Sequence, residues 1–114
     1  MDAIFIELPT FERHRQDYLD DDGYRLLQEA MMQNPLGGAV VQETGGLRKL
    51  RHEDRQRGKG KRGGLRVLYY YWAEGPQFWM FTLYDKGEVS DLTPRQRNTF
   101  KDGLKSELKA RQKP

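Results

Sequence analysis

Two runs of bulky residues, close together in the chain, restrict its fold more than any other feature. Residues 65–72 read LRVLYYYW and residues 78–84 read FWMFTLY. Both are rich in aromatic and β-branched side chains, which favour extended backbone. Between them lies Ala73-Glu74-Gly75-Pro76-Gln77, whose Gly-Pro pair marks a turn. The pattern predicts a β-hairpin with a loop over residues 73–77. Along the first strand, alternation sets Arg66, Leu68, Tyr70 and Trp72 on one face and Leu65, Val67, Tyr69 and Tyr71 on the other. Packing is the expected role of Tyr69, Tyr70 and Tyr71.

Positive charge gathers just before this hairpin. From Arg48 to Arg66 there are nine Lys or Arg and two Asp or Glu, a local charge of +7 in a chain whose net charge is only +3. Residues 1–35 are acidic (−5) and residues 94–114 basic (+5). If the basic segments share a face, that face attracts a polyanion; otherwise they are solvated surface. Leu47–Arg51 reads as a further short strand. The insert from His52 to Gly64 has four glycines and no large apolar residue. It is therefore expected on the surface, mobile until it meets a partner.

The whole chain, at 114 residues, is enough for one core, and a single domain over residues 1–114 is expected. There is no cysteine, which excludes disulfides and thiolate metal sites. No run approaches the roughly 20 apolar residues of a membrane span, and MDAIFIELP lacks the basic start of a signal peptide, so the cytoplasm is the expected location. Ala3–Glu7 reads as a strand ended by Pro9. Thr10 is placed to cap a helix beginning at Phe11, with Phe11 and Tyr18 on one face. Asp20-Asp21-Asp22 suits the start of a second helix, reaching about Gln33, with Leu27, Ala30 and Met31 inward. Asn34-Pro35 stops it. An extended piece is possible at 39–41. Thr93, Pro94 and Gln96 form a capping box for a last helix, whose Phe100, Leu104 and Leu108 make an apolar stripe opposite a basic face. The predicted fold class is a small α+β domain: an antiparallel sheet with two N-terminal helices and a C-terminal helix.

The chemistry available is that of cations and phenols. The chain has no paired histidines, no Gly-x-Ser-x-Gly elbow and no P-loop; GKGKRGG lacks the spacing and the following hydroxyl. His14 reads as a helix-surface residue, and His52, in the basic segment, as a minor candidate for touching RNA. Arg66 heads a hydrophobic strand, where a guanidinium is suited to grip a phosphate with two hydrogen bonds. Tyr84 and Lys86 are two apart, as are Lys49 and Arg51, so antiparallel pairing can gather all of them on one surface. Such a set can cleave RNA through attack of a ribose 2′-hydroxyl on the adjacent phosphate. Cations stabilise the phosphorane, and a lysine whose pKa is depressed by its neighbours can serve as base. No metal or other cofactor is expected.

The Gly-Gly-Leu-Arg-Lys strand, the GKGKRGG insert, LRVLYYYW, FWMFTLYDK and the Thr-Pro-initiated helix together resemble the HigB-type toxins of the RelE/ParE superfamily, over nearly the whole chain. The resemblance implies the toxin of a type II toxin–antitoxin pair. It further implies a ribosome-dependent endoribonuclease that cuts mRNA in the A site, partnered by a helix-turn-helix antitoxin through which the pair can sit on operator DNA. It carries Arg66 and Lys86 to the catalytic site and sets Lys49 and Arg51 where the family has paired lysines. Tyr84 is the candidate to stand in for the family's phenol, and the cations Lys49, Arg51, Lys59, Lys61 and Arg62 are expected to hold RNA. RelE-like enzymes have a further arginine and tyrosine after the last strand, where Gly87 and Thr93 stand here. Two alternatives are a ParE-like inhibitor of DNA gyrase that cuts no RNA, and a non-catalytic RNA- or ribosome-binding module.

Overall fold

The computed structural model describes residues 2–62, 64–89 and 91–112. The hairpin is its centre: β4 (Leu65–Trp72) and β5 (Gln77–Asp85) pair antiparallel, with the turn over residues 73–76. β3 (Arg48–His52) pairs antiparallel with β4, and the short β2 (Ala39–Val40) with β3. On the other side β1 (Ile4–Glu7) runs parallel to β5, giving the order β1-β5-β4-β3-β2. The α+β class is as expected, but the sheet is mixed rather than wholly antiparallel. No tight turn links β1 to β5, so nothing local dictates an antiparallel pairing.

α1 (Pro9–Tyr18) begins at Pro9 itself, not after a Thr10 cap. Pro9 occupies the first helical turn, where its fixed φ is already helical and its missing N–H costs nothing. α2 (Asp21–Gln33) is capped by Asp20, whose carboxylate accepts from the Gly23 amide at 2.7 Å. Its inward face is set by Tyr24, Leu27 and Met31 at helical spacing, which leaves Ala30 to one side and exposed, against expectation. α1 and α2 cover one face of the sheet. There Phe11, Leu19, Tyr24, Leu27 and Met31 pack on Leu65, Val67, Tyr69, Phe78, Met80 and Leu83. α3 (Pro94–Ala110) covers the other, packing Phe100, Leu104 and Leu108 on Leu68, Trp79, Phe81 and Tyr84. Each large apolar side chain fully removed from water contributes roughly 1.5–3 kcal/mol. The α3 capping box forms as expected: Gln96 N donates to Thr93 Oγ1 at 3.1 Å, and Thr93 N donates to Gln96 Oε1 at 2.9 Å. The three tyrosines of β4 take part in this packing, and the Tyr69 hydroxyl joins Pro35 O and Gly38 N at 2.8 and 3.1 Å.

A β-bulge decides what happens at the far end of β5. Leu68 pairs with Thr82 and Tyr69 with Met80, so Phe81 is an extra residue with no opposite number on β4. Side chains alternate with period two, and one extra residue exchanges the faces of everything beyond it. Phe78 and Met80 point to α1 and α2, yet Tyr84 lies in the α3 cluster and Leu83 in the other. Strict alternation from Phe78 would have put Tyr84 on the α1 side.

The insert after β3 is tied down, which corrects the expectation of a mobile segment. Asp54 and Lys59 exchange backbone hydrogen bonds of 2.7 and 2.8 Å around a turn over residues 55–58, in which Gly58 adopts a φ of +65°. Lys59 Nζ meets Asp85 Oδ1 at 2.8 Å, and Arg57 meets Asp54 Oδ2 at 3.2 Å, with both carboxylates 0% exposed. The Arg57 guanidinium also lies 4.9 Å from the centre of the Tyr18 ring. Ion pairs with buried acids supply the anchorage that apolar side chains do not. Gly64 is required here, since a Cβ on it would stand 2.6 Å from His52 O and Gly60 O. Gly63 of the same motif lies outside the described residues.

Candidate active site

At the bulged end of the sheet, on the α3 face, Arg51, Arg66 and Tyr84 stand in one row across three strands: Arg51 is the register partner of Arg66, and Arg66 of Tyr84. Lys49, two residues from Arg51, pairs with Leu68 in the next row on that face. Strand register thus sets Lys49, Arg51, Arg66 and Tyr84 on one face, while Lys86, the remaining member of the expected set, lies beyond the last paired residue. The start of α3 closes it from above. Asp91, just before the helix, meets Lys49 Nζ at 3.3 Å through Oδ1 and an Arg97 terminal nitrogen at 3.0 Å through Oδ2.

Arg66 does not offer a free fork. Its side chain is only 5% exposed, and it donates to Lys61 O at 2.9 Å, Leu65 O at 3.1 Å and Arg62 O at 2.7 Å. Bringing the end of the insert close to the strand gives the guanidinium three carbonyls to satisfy, and it is spent on them. The Arg66 guanidinium thus holds the backbone of residues 61–62, whose own side chains are exposed. Lys86 is exposed one residue beyond β5, its amide donating to Gly64 O at 3.0 Å. Lys59 is taken by Asp85 and belongs to the other face. His52 is also on that other face, paired with Leu65 and buried; burial holds its pKa below the usual value. His14 is a partly exposed helix residue, 3.6 Å from Asp17.

Tyr84 is the unusual member. It is 7% exposed, and its hydroxyl has no hydrogen-bond partner among the described residues. Burial pushes its pKa up, Asp91 adds to that, and Arg66 and Arg97 pull the other way. The phenol therefore stays protonated at neutral pH and is a donor waiting for an acceptor. Arg97 Nε, also buried, lacks a partner too. Leaving a buried donor or acceptor unmet costs about 1–3 kcal/mol. Tyr24 Oη, His52 Nε2 and Asp85 Oδ2 are in the same state elsewhere, and what sets Tyr84 and Arg97 apart is that both belong to the cluster around Asp91.

Asp91 and Arg97 were not among the candidates read from the sequence. Arg97 did leave a signal: 97, 100, 104 and 108 share one helical spacing, so a cation sits on the apolar stripe of α3. Arg111 extends the stripe at the far end, where it lies 4.3 Å from the Trp79 ring centre and pairs with Glu107 at 2.6 Å.

No protein-family model matches the chain. Among solved structures it is similar to the free form of the Escherichia coli toxin RelE carrying two arginine-to-alanine changes. The TM-score is 0.52 at 12% identity, over 79% of this chain and 90% of that one. At such identity the likeness speaks for architecture, and the architecture of this chain is RelE-like.

Proposed function

We propose that residues 1–114 form a single toxin domain of the HigB branch of the RelE/ParE superfamily, acting in the cytoplasm. In this reading it cleaves mRNA on the ribosome and is neutralised by a helix-turn-helix antitoxin. The observation that carries the reading is the convergence of Lys49, Arg51, Tyr84 and Arg97 on one partly open corner. In-line attack of the ribose 2′-oxygen on phosphorus, with departure of the 5′-oxygen, builds charge on the phosphorane oxygens. Fixed cations and a neutral O–H donor meet that charge best where water is scarce. Lys49 and Arg97 are suited to the phosphorane, and Tyr84, kept protonated, to donation rather than proton removal. Lys86, at the rim, is proposed to reach the same phosphate. Lys61 and Arg62, held in place through their carbonyls by Arg66, are proposed to contact RNA backbone together with Arg51.

The test is primer extension on an mRNA incubated with the purified protein, with and without ribosomes. Cuts that need ribosomes and disappear in Arg97→Ala are expected. Intact mRNA in both reactions, with inhibition of gyrase supercoiling instead, would overturn the proposal.

A further inference from the structure

Lys49 and Arg97 share a single carboxylate, whose charge also reaches the Tyr84 phenol. Asp91 receives Lys49 on one oxygen and Arg97 on the other, and Oδ1 also accepts from the Leu92 amide at 2.8 Å. The carboxylate bridges two cations, and close enough to feel its charge is the Tyr84 hydroxyl, which like Arg97 Nε is buried with no partner among the described residues. A carboxylate has too few oxygens, held too far back on a short side chain, to meet all of these donors; a tetrahedral oxyanion has more. At 46% exposure the Asp91 side chain is reachable from solvent, whereas the carboxylates of Asp54 and Asp85 are sealed.

We infer that this corner is a binding site for a phosphate-type oxyanion, and that Asp91 is its resident competitor, an internal anion that an incoming phosphate must displace. This rests on the proposed function only in naming RNA as the natural source of the phosphate; the site and its occupant stand on the geometry. Burial pushes the Asp91 carboxyl up, but the Leu92 amide, Lys49 and Arg97 outweigh it and hold the group ionised well below neutral pH. The competitor is therefore charged under all conditions in which the protein would meet RNA. Its presence also explains how two cations and a buried phenol can be kept together without a ligand: the carboxylate offsets like-charge repulsion until a better anion arrives. The consequence is a site whose empty form is stable and whose affinity for isolated phosphates is weak, so that binding depends on further contacts along a longer polyanion.

The experiment uses the full chain, without ribosomes, and inorganic sulfate as the probe, because its charge does not change near neutral pH. Binding is followed by the backbone amide signals of Tyr84 and Leu92 in a titration at fixed ionic strength. Asp91→Asn keeps the shape and removes the charge, and should bind sulfate about tenfold more tightly than the natural chain, a value discounted for the exposure of the group. Asp91→Ser keeps an acceptor for the Leu92 amide and serves the same purpose if Asp91→Asn is poorly folded. Asp91→Glu, retaining the charge, should show no gain. Adding Arg97→Ala to Asp91→Asn should abolish the gain. Unchanged or weaker sulfate binding in folded Asp91→Asn and Asp91→Ser, or a gain that survives Arg97→Ala, would overturn the inference. Ribosome-dependent cleavage with no sulfate gain would remove the competitor and leave the proposed function. A sulfate gain in a protein that cuts no mRNA would do the reverse.

Discussion

Two charge clusters lie on opposite faces of the sheet at the end of β5, where the consecutive residues Tyr84 and Asp85 each enter one of them. On the α1 side, Asp85 and Asp54 take Lys59 and Arg57, with both carboxylates fully enclosed. On the α3 side, Asp91 takes Lys49 and Arg97 beside Tyr84, with the carboxylate about half open to water. The residue types are the same, acids and long cations. The difference lies in which partner is sealed. In the first cluster the acids are the buried members and the cations come from the surface to pair with them, leaving Asp85 Oδ2 without a partner among the described residues, so the pairs hold the insert to the sheet. In the second a phenol and an arginine nitrogen are buried and unsatisfied, while the acid reaches solvent. A charge pair that encloses its acids acts as a clasp; one that encloses unmet donors is prepared for a ligand.

The largest effect should come from breaking the clasp. Asp85→Ala leaves Lys59 and Asp54 without their partner, and should cost roughly 3 kcal/mol in denaturant unfolding; Lys59 still reaches water, which keeps the loss at the low end for a broken buried pair. A loss under 1 kcal/mol would put the two clusters in the same class. The clasp also has a pH signature. Burial pushes the Asp85 carboxyl up, but Asp54, Lys59 and the Gly87 amide more than reverse this and hold it at about 2. An unfolded aspartate titrates near 3.9, so the contribution of Asp85 is complete above about pH 4 and is lost as pH falls toward 2. Asp54, pushed up by burial and by Asp85, works in the opposite sense: it favours the fold at low pH. Acid unfolding followed by circular dichroism should therefore be less steep in Asp85→Ala than in the natural chain.

Next in size is Arg66→Ala. Three carbonyls at residues 61, 62 and 65 lose a charged donor, and about 2 kcal/mol of stability should go with it. A full loss of toxicity in this variant without a fall in stability would return Arg66 to direct contact with the phosphate. Tyr84→Phe separates the clusters more sharply. Its hydroxyl has no partner to lose, so stability should hold or rise slightly, while cleavage falls by about ten- to a hundredfold. A destabilised Tyr84→Phe would mean that the hydroxyl is part of a clasp after all. The smallest structural effect is expected for Lys61→Ala with Arg62→Ala, both exposed: less than about 0.5 kcal/mol in stability. Their loss should lower the salt dependence of ribosome binding by roughly one unit of slope per phosphate contact. An equal slope would make these side chains bystanders.

Much of this was legible in the sequence. The hairpin, the two faces of β4, the capping box of α3 and the acidic start of α2 all rest on local rules, period two, period 3.6 and side-chain caps, that act within a few residues. The row Arg51–Arg66–Tyr84 was half legible, since strand pairing follows from the hairpin but register does not. Arg97 could have been found from its place on the α3 stripe. Asp91 could not, because a lone acid before a helix cap reads as ordinary dipole complement.

The amino-acid sequence alone determined which segments are strands and helices and where the positive charge is concentrated. Only the tertiary structure decided which cations are free. The bulge at Phe81 has no sequence signature, yet it turns Tyr84 toward Arg66 and Asp85 toward Lys59, and thereby builds both clusters. The fate of Arg66 and Lys59 was settled in the same way. Whether a cation is spent on a carbonyl or carboxylate, or left for a ligand, depends on what long-range packing brings within about 3 Å of it, and hydrogen bonds act only at that distance.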